Sequence, residues 1–100
     1  MLKIEELIMG EYYYAILTNG GRKFEHIFIS SGTNGLMGNG ICITTKGLTT
    51  GSGTRRVVKD NTEFLREATT EEIEWLQDSE KADKFIEKSI NQESVNYEIY

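Results

Sequence analysis

The sequence is poor in several residue types, and each shortage narrows the class of protein. It has no proline, one cysteine, one histidine and no long hydrophobic run. A single cysteine excludes an internal disulfide, and a single histidine excludes a histidine-rich metal site. No apolar run approaches the ~20 residues of a membrane-spanning helix, and the start of the chain lacks a signal peptide's apolar stretch. We therefore expect a protein of cytosolic type with no membrane segment, metal or cofactor.

Basic side chains are outnumbered by acidic ones, 11 against 16, and the imbalance lies in the last third of the chain. Residues 1–68 carry 8 Lys and Arg against 7 Asp and Glu, whereas residues 69–100 carry 3 lysines against 9 acids. Nucleic-acid binding needs several phosphates neutralised by basic side chains, so this distribution argues against a nucleic-acid partner. The acidic third is typical of a solvated helix face, and it also suits contact with a basic protein surface.

Five segments have the aromatic and β-branched content of short strands: residues 11–18, 23–29, 41–45, 55–59 and 64–66. Short strands with tight turns predict a small, strongly bent antiparallel sheet or an SH3-like barrel over residues 1–68. With the helix predicted below, the fold class is α+β, in a single domain of residues 1–100.

The first two strands are predicted to form a hairpin. Asn19-Gly20 favours a two-residue turn, which places Tyr13 opposite His26. If Gly21 joins the turn, Tyr14 lies opposite His26 instead. We favour the first register and leave the second open.

Glycine is concentrated in the middle of the chain, where seven of the ten lie between Gly32 and Gly53. We expect connecting loops at residues 30–40 and 47–53, because glycine constrains the backbone least. The Gly-x-x-Gly-x-Gly order at residues 35–40 reverses the dinucleotide-binding pattern, and no Lys-Ser/Thr pair follows as in a P-loop. We therefore expect this segment to be a connecting loop and not a nucleotide-binding loop.

A candidate anion- or nucleotide-binding site follows in the second glycine-rich stretch. It comprises Gly51, Ser52, Gly53, Arg55 and Arg56. Small residues let backbone N–H groups converge on an anion, and two arginines can hold a phosphate through paired hydrogen bonds. The alternative is a hairpin loop followed by an edge strand with solvated arginines.

A helix is predicted from a capping box at residues 69–72, in which Thr69 caps the helix and Glu72 reaches back to it. We expect the helix to span residues 69–90, with a core-facing stripe of Trp75, Leu76, Ala82, Ile86 and Ile90. Residues 91–100 alternate in polarity and are expected to form a tail or a short terminal strand.

Candidate partner-binding residues are exposed tyrosines and helix acids: Tyr12, Tyr14, Glu71, Glu74, Asp78 and Tyr97. Tyrosine offers contact area at low entropic cost, and acids favour a basic partner. His26 and Cys42 are the residue types of a nucleophilic pair, but their spacing does not show that they meet. We expect Cys42 to be a small buried residue and assign no catalytic residue.

The segment at residues 66–76 has the pattern R-x-A-T-x-E-E-x-x-W-L, and residues 10–13 have the pattern G-x-Y-Y. In both the sequence resembles a family of small uncharacterised phage and prophage proteins with a β-rich N-terminal part. The resemblance implies a phage accessory protein and supplies no active site.

The leading hypothesis is a non-enzymatic phage-type binding protein that inhibits a host defence component in the host cytoplasm. It would use the acidic helix face and the glycine-rich loops to contact a host or phage protein. One alternative is a minor virion or assembly component, in which residues 95–100 add a strand to a neighbouring protein, and a homo-oligomer is left open. Another is a protein that sequesters a nucleotide ligand at residues 51–56.

Overall fold

The computed structural model describes residues 1–31, 35–49 and 55–88, with the backbone alone described at residues 55 and 56. After a short 3-10 helix at Ile4–Glu6, the described elements are β1 (Tyr12–Asn19), β2 (Arg22–Ser30), β3 (Leu36–Cys42), β4 (Gly47–Thr49), β5 (Arg55–Arg56), β6 (Thr62–Glu67) and α1 (Thr70–Ala82). The fold is therefore α+β, as the sequence predicts.

The strands form an antiparallel sheet with β1 near its centre. Five of them lie side by side in the order β4-β3-β2-β1-β6, and β5 pairs with the other half of β3. Among the described residues β4 and β6 do not pair with each other, so the sheet is open. The SH3-like barrel stays a prediction.

The β1–β2 hairpin forms as predicted, but both expected registers are wrong. Ala15, and neither Tyr13 nor Tyr14, lies opposite His26. The turn consists of Gly20 and Gly21, which have φ of 60° and 78°, and Asn19 pairs with Arg22 as the last rung of the ladder. Because the Gly-Gly pair adopts positive φ without steric cost, the turn lies one residue later than Asn19-Gly20.

The glycine-rich segment at residues 35–40 is largely a strand and not the predicted loop. Gly38 and Gly40 lie inside β3, where the backbone passes close to β2. A Cβ on Gly40 would lie 2.8 Å from the Ile27 carbonyl oxygen, and one on Gly38 would lie 2.9 Å from Ile29 Cγ2. Glycine here provides space for close strand contact and not flexibility. Residues 47–49, also predicted as loop, form β4.

Helix α1 ends at Ala82, well before the predicted end at residue 90. Asp83 adopts the left-handed conformation, with φ of 56°, and the Lys84 N–H donates to the Ser79 carbonyl 3.1 Å away. These contacts satisfy carbonyl groups at the helix end and turn the chain away from the helix axis. Ala82 is consequently exposed and does not join the core.

The residues after the helix fold back onto it. The Trp75 indole Nε1 donates to the Ile86 carbonyl oxygen at 2.6 Å, and the Ile86 N–H donates to Ser79 Oγ at 3.2 Å. Phe85 packs against Trp75 with ring centroids 5.6 Å apart. The folded-back segment therefore contributes Phe85 to the core on this side of the sheet, and Ile86 is held through its backbone and not by a continuous helix.

Both faces of the sheet are covered. On one face α1 contributes to a buried cluster of Tyr14, Ile16, Ile27, Ile41, Trp75 and Leu76. On the other, Leu2, Ile4 and Leu7 pack over a buried cluster of Tyr13, Ala15, Leu17, Phe28, Met37, Val57 and Leu65. This arrangement explains why β1 and β2 are apolar at consecutive positions.

Candidate functional site

The N-terminus of α1 is held by the predicted capping box. Thr69 Oγ1 accepts a hydrogen bond from the Glu72 N–H at 3.2 Å, and the Thr69 N–H donates to Glu72 Oε1 at 2.8 Å. These two bonds satisfy donors that the first turn leaves unpaired. The helix therefore begins at a fixed point on the chain.

The outer side of α1 carries the three acids predicted to contact a partner. Glu71, Glu74 and Asp78 are exposed, and their spacing places them along one side of the helix. The buried residues Trp75 and Leu76 lie on the side that faces the sheet. We call Glu71, Glu74 and Asp78 the acidic helix face.

Part of the charge on the acidic helix face is neutralised locally. Asp78 pairs with Lys88 at 2.6 Å, and the exposed Lys81 lies in the last turn of the helix. Among the described residues no ion pair involves Glu71 or Glu74. These two carboxylates therefore supply most of the charge that a partner would meet.

The inner side of α1 is anchored by an ion pair with the sheet. Glu72 is fully buried, and its two carboxylate oxygens accept hydrogen bonds from Nη1 and Nη2 of Arg66 on β6, each at 2.8 Å. The Arg66 guanidinium carbon also lies 4.1 Å from the centroid of the Tyr14 ring. The paired hydrogen bonds fix the orientation of the first helical turn relative to β6 and β1.

A second buried carboxyl lies beside this ion pair. Glu25 of β2 is 1% exposed, and its side chain accepts a hydrogen bond from the Tyr14 hydroxyl. Burial raises the pKa of Glu25 above its ordinary value, an effect opposed by the Tyr14 hydrogen bond, reinforced by the Glu72 charge and opposed by Arg66. We call Tyr14, Glu25, Arg66 and Glu72 the buried cluster.

The sequence did not reveal the buried cluster. The sequence predicts the capping role of Glu72, but the burial of Glu72 and its pairing with Arg66 depend on how the helix docks on the sheet. One local signal was available. Glu25 interrupts a segment, residues 24–29, that is otherwise apolar except for His26. A charge within a strand that is covered on both faces is usually buried and paired.

The predicted tyrosine contacts are only partly compatible with the structure. Tyr12 is half-buried, and Tyr14 is 1% exposed beneath α1. Tyr14 is therefore excluded from a contact surface, because its hydroxyl and its ring are both used inside the protein. Tyr97 lies outside the described residues, so its partner role stays a prediction.

The predicted anion site falls mostly outside the described residues. Gly51, Ser52 and Gly53 are among those not described. The backbones of Arg55 and Arg56 form β5 and pair with Met37 and Leu36, respectively. An edge strand at this position agrees with the structural alternative, and phosphate binding stays a prediction.

His26 and Cys42 lie directly opposite each other in the β2–β3 ladder. Both side chains are buried, as expected for Cys42. Within the described ranges, no group of three or more His, Cys, Asp or Glu side chains is placed to hold a metal ion. The cross-strand proximity is a consequence of sheet register that spacing alone did not show.

A cleft of about 410 Å³ lies near the start of the chain. It is lined by Met1, Leu2, Lys3, Ile4, Glu5, Lys59 and Thr62. None of the predicted site residues contributes to it. The acidic helix face and this cleft are therefore separate features of the surface.

No family model, curated protein or solved structure matches this chain. In the part of the chain that the structure describes, no helix has both the length and the apolar character needed to cross a membrane.

Proposed function

We propose that this protein is a non-enzymatic binding protein that contacts a basic protein surface through the acidic helix face. The observation that supports the proposal is the exposure of Glu71, Glu74 and Asp78 along one side of a single helix. Charges arranged in this way attract a basic partner and accelerate its association.

The acidic helix face is presented by a helix that is ordered before any partner arrives. The capping box fixes the start of α1, the Arg66–Glu72 pair joins its first turn to β6, and Trp75 and Leu76 are buried. A contact surface that is already ordered avoids the entropy cost of ordering a segment on binding. This rigidity favours α1 as the contact element.

We further propose that the partner is a component of a host defence system and that the protein acts in the host cytoplasm as an inhibitor. This finer proposal is supported by the resemblance of residues 66–76 to small phage and prophage proteins. The proposed partner has a basic surface, of the kind that binds nucleic acid or an acidic regulatory protein.

The test is capture of a partner from a bacterial lysate on the immobilised protein, at low and at high salt. Wild type is compared with E71Q/E74Q, which removes the two carboxylates that have no ion pair among the described residues. The matched control is E11Q/D60N, which removes two exposed acids elsewhere on the surface. We expect E71Q/E74Q to weaken binding about tenfold, roughly 0.7 kcal/mol per charge, while the control binds like wild type.

The salt series and the control separate specific from general charge effects. Binding should weaken as salt rises, because exposed charges are screened. Recovery of no partner at any salt would contradict the proposal. Equal weakening of both double variants would show that overall charge, and not the acidic helix face, is responsible.

A further inference from the structure

The buried cluster contains more negative than positive groups. Among the described residues that form it, Glu25 and Glu72 are the two carboxyls and Arg66 is the one cation. Both terminal nitrogens of Arg66 donate hydrogen bonds to Glu72, whereas the Glu25 carboxyl accepts a hydrogen bond from the Tyr14 hydroxyl. If Glu25 is ionised, its charge is therefore left without a direct ionic partner.

The groups that act on the Glu25 carboxyl come from the elements around it. Tyr14 belongs to β1, Arg66 to β6 and Glu72 to α1. Beyond β3, Thr44 contributes an uncharged hydroxyl that accepts from the backbone N–H of Glu25 at 2.9 Å. Taking an unpaired charge out of water is costly, so this environment favours the neutral form of Glu25.

We propose that Glu25 is a proton-dependent latch for α1. The helix docks most firmly on the sheet while the Glu25 carboxyl is neutral, and ionisation weakens this docking before β1 and β2 separate. Glu72 is the residue of α1 in the buried cluster, so the repulsion between the two carboxylates acts directly on the helix. Moving α1 away admits water to Glu25 and leaves the eight paired positions between β1 and β2 intact.

The direction of the pH effect follows from the environment of Glu25. Because the pKa of Glu25 is raised from 4.5 in the folded protein, the folded state binds more protons than the unfolded state above pH 4.5. The stabilisation is full below 4.5 and is lost as the pH rises through the raised value. For one proton the folding constant falls by at most about tenfold for each pH unit in this window.

The test compares wild type with E25Q across this pH window. Trp75, the single tryptophan of the chain, is buried on α1, so its emission reports helix docking. Amide hydrogen exchange, corrected for its intrinsic pH dependence, compares α1 with β1. In wild type we expect α1 to lose protection as the pH rises while β1 keeps it, and Trp75 emission to shift to the red. In E25Q both signals should stay constant, and the exposed-site control E11Q should follow wild type.

A second variant keeps the inference testable if E25Q does not fold. Y14F removes the hydrogen bond that lowers the pKa of Glu25, so the wild-type transition should move to higher pH. An unmoved or lowered transition in Y14F would overturn the latch, as would a wild-type pH response in E25Q. Simultaneous loss of protection in α1 and β1 would also overturn it, because Glu25 would then act on the whole fold. These measurements need no partner and are independent of the proposed function.

Discussion

Arg66 joins three elements of the protein through one side chain. Its guanidinium forms two hydrogen bonds to Glu72 of α1 and lies over the Tyr14 ring of β1, while its own backbone belongs to β6. Lysine has no planar fork and cannot reproduce the paired bonds and the ring contact together. At the residue scale, the position of the helix therefore depends on the shape of this group as well as on its charge.

The first prediction concerns the pairing of Arg66 with Glu72. R66M should lower the free energy of unfolding by about 3 kcal/mol, because it removes the cation and its two hydrogen bonds from a fully buried carboxylate. Adding E72Q removes that charge while keeping an oxygen to accept the Thr69 N–H. The double variant R66M/E72Q should therefore be more stable than R66M alone. Urea denaturation of the three proteins measures this, and a double variant less stable than R66M would contradict it.

At the scale of elements, β3 shows how close strand packing selects glycine. The backbone of Gly40 lies against Ile27 and Phe28 of β2, whereas Gly47 at the start of β4 has more space. A side chain at Gly40 would have to displace backbone atoms, since the nearest contact is a carbonyl oxygen. The β2–β3 pairing is thus more sensitive to substitution than glycine content alone would suggest.

The second prediction compares these two glycines. G40A should destabilise the protein by about 1–3 kcal/mol, because its Cβ would lie 2.8 Å from the Ile27 carbonyl oxygen. G47A is the matched control, since a Cβ on Gly47 would lie 3.4 Å from Thr45 Oγ1, an ordinary van der Waals distance. Thermal unfolding should show a clear loss for G40A and a change of under about 1 kcal/mol for G47A. Equal losses would show that backbone entropy, and not the close approach, determines the cost.

Elements encoded by neighbouring residues were predictable from the sequence. The capping box needs only Thr69 and Glu72, which are three positions apart, and it forms as expected. The sequence also predicts the hairpin but not its register. Asn19-Gly20 and Gly20-Gly21 overlap, and each pair can form the two-residue turn with a different register. The early end of α1 was missed, since it depends on Asp83 adopting positive φ, which helical periodicity does not reveal.

The buried cluster was not predictable for a different reason. Its four members come from three strands and a helix, and they meet only when β6 pairs with β1 and α1 packs across the sheet. No spacing along the chain encodes that meeting. The position of the exposed acids is easier to predict from the sequence, because Glu71, Glu74 and Asp78 share one side of the helix whatever the helix packs against.

At the scale of the whole molecule, the sheet is enclosed by segments from both ends of the described chain. The N-terminal segment is tied down by hydrogen bonds from Leu2 N to the Leu65 carbonyl and from Ile8 N to the Tyr13 hydroxyl. Its apolar side chains Leu2, Ile4 and Leu7 complete one core cluster. The two faces of the sheet are therefore protected by different parts of the chain.

The third prediction tests this N-terminal cover. L7A should lower the free energy of unfolding by about 1–2 kcal/mol, because Leu7 packs against the apolar core cluster that contains Tyr13 and Phe28. I8A is an adjacent control, since Ile8 is 62% exposed and should contribute little. Chemical denaturation distinguishes them. Comparable losses in both variants would indicate that the backbone of the segment, and not the Leu7 side chain, holds the cover in place.

The pairing of β1 with β6 has a consequence for synthesis of the protein. β1 pairs with β2 across a two-glycine turn, so these strands are close in sequence. Its pairing with β6 joins Tyr13 to Glu67 and Ala15 to Leu65, which are synthesised much later. During translation the hairpin can form early, whereas its second edge and the helix-facing side of the sheet stay uncovered until β6 and α1 leave the ribosome. The apolar surface around Tyr14 is therefore open to chaperones or to misassociation in that interval. The acidic helix face forms only when α1 folds and docks, which is the same step that covers this apolar surface.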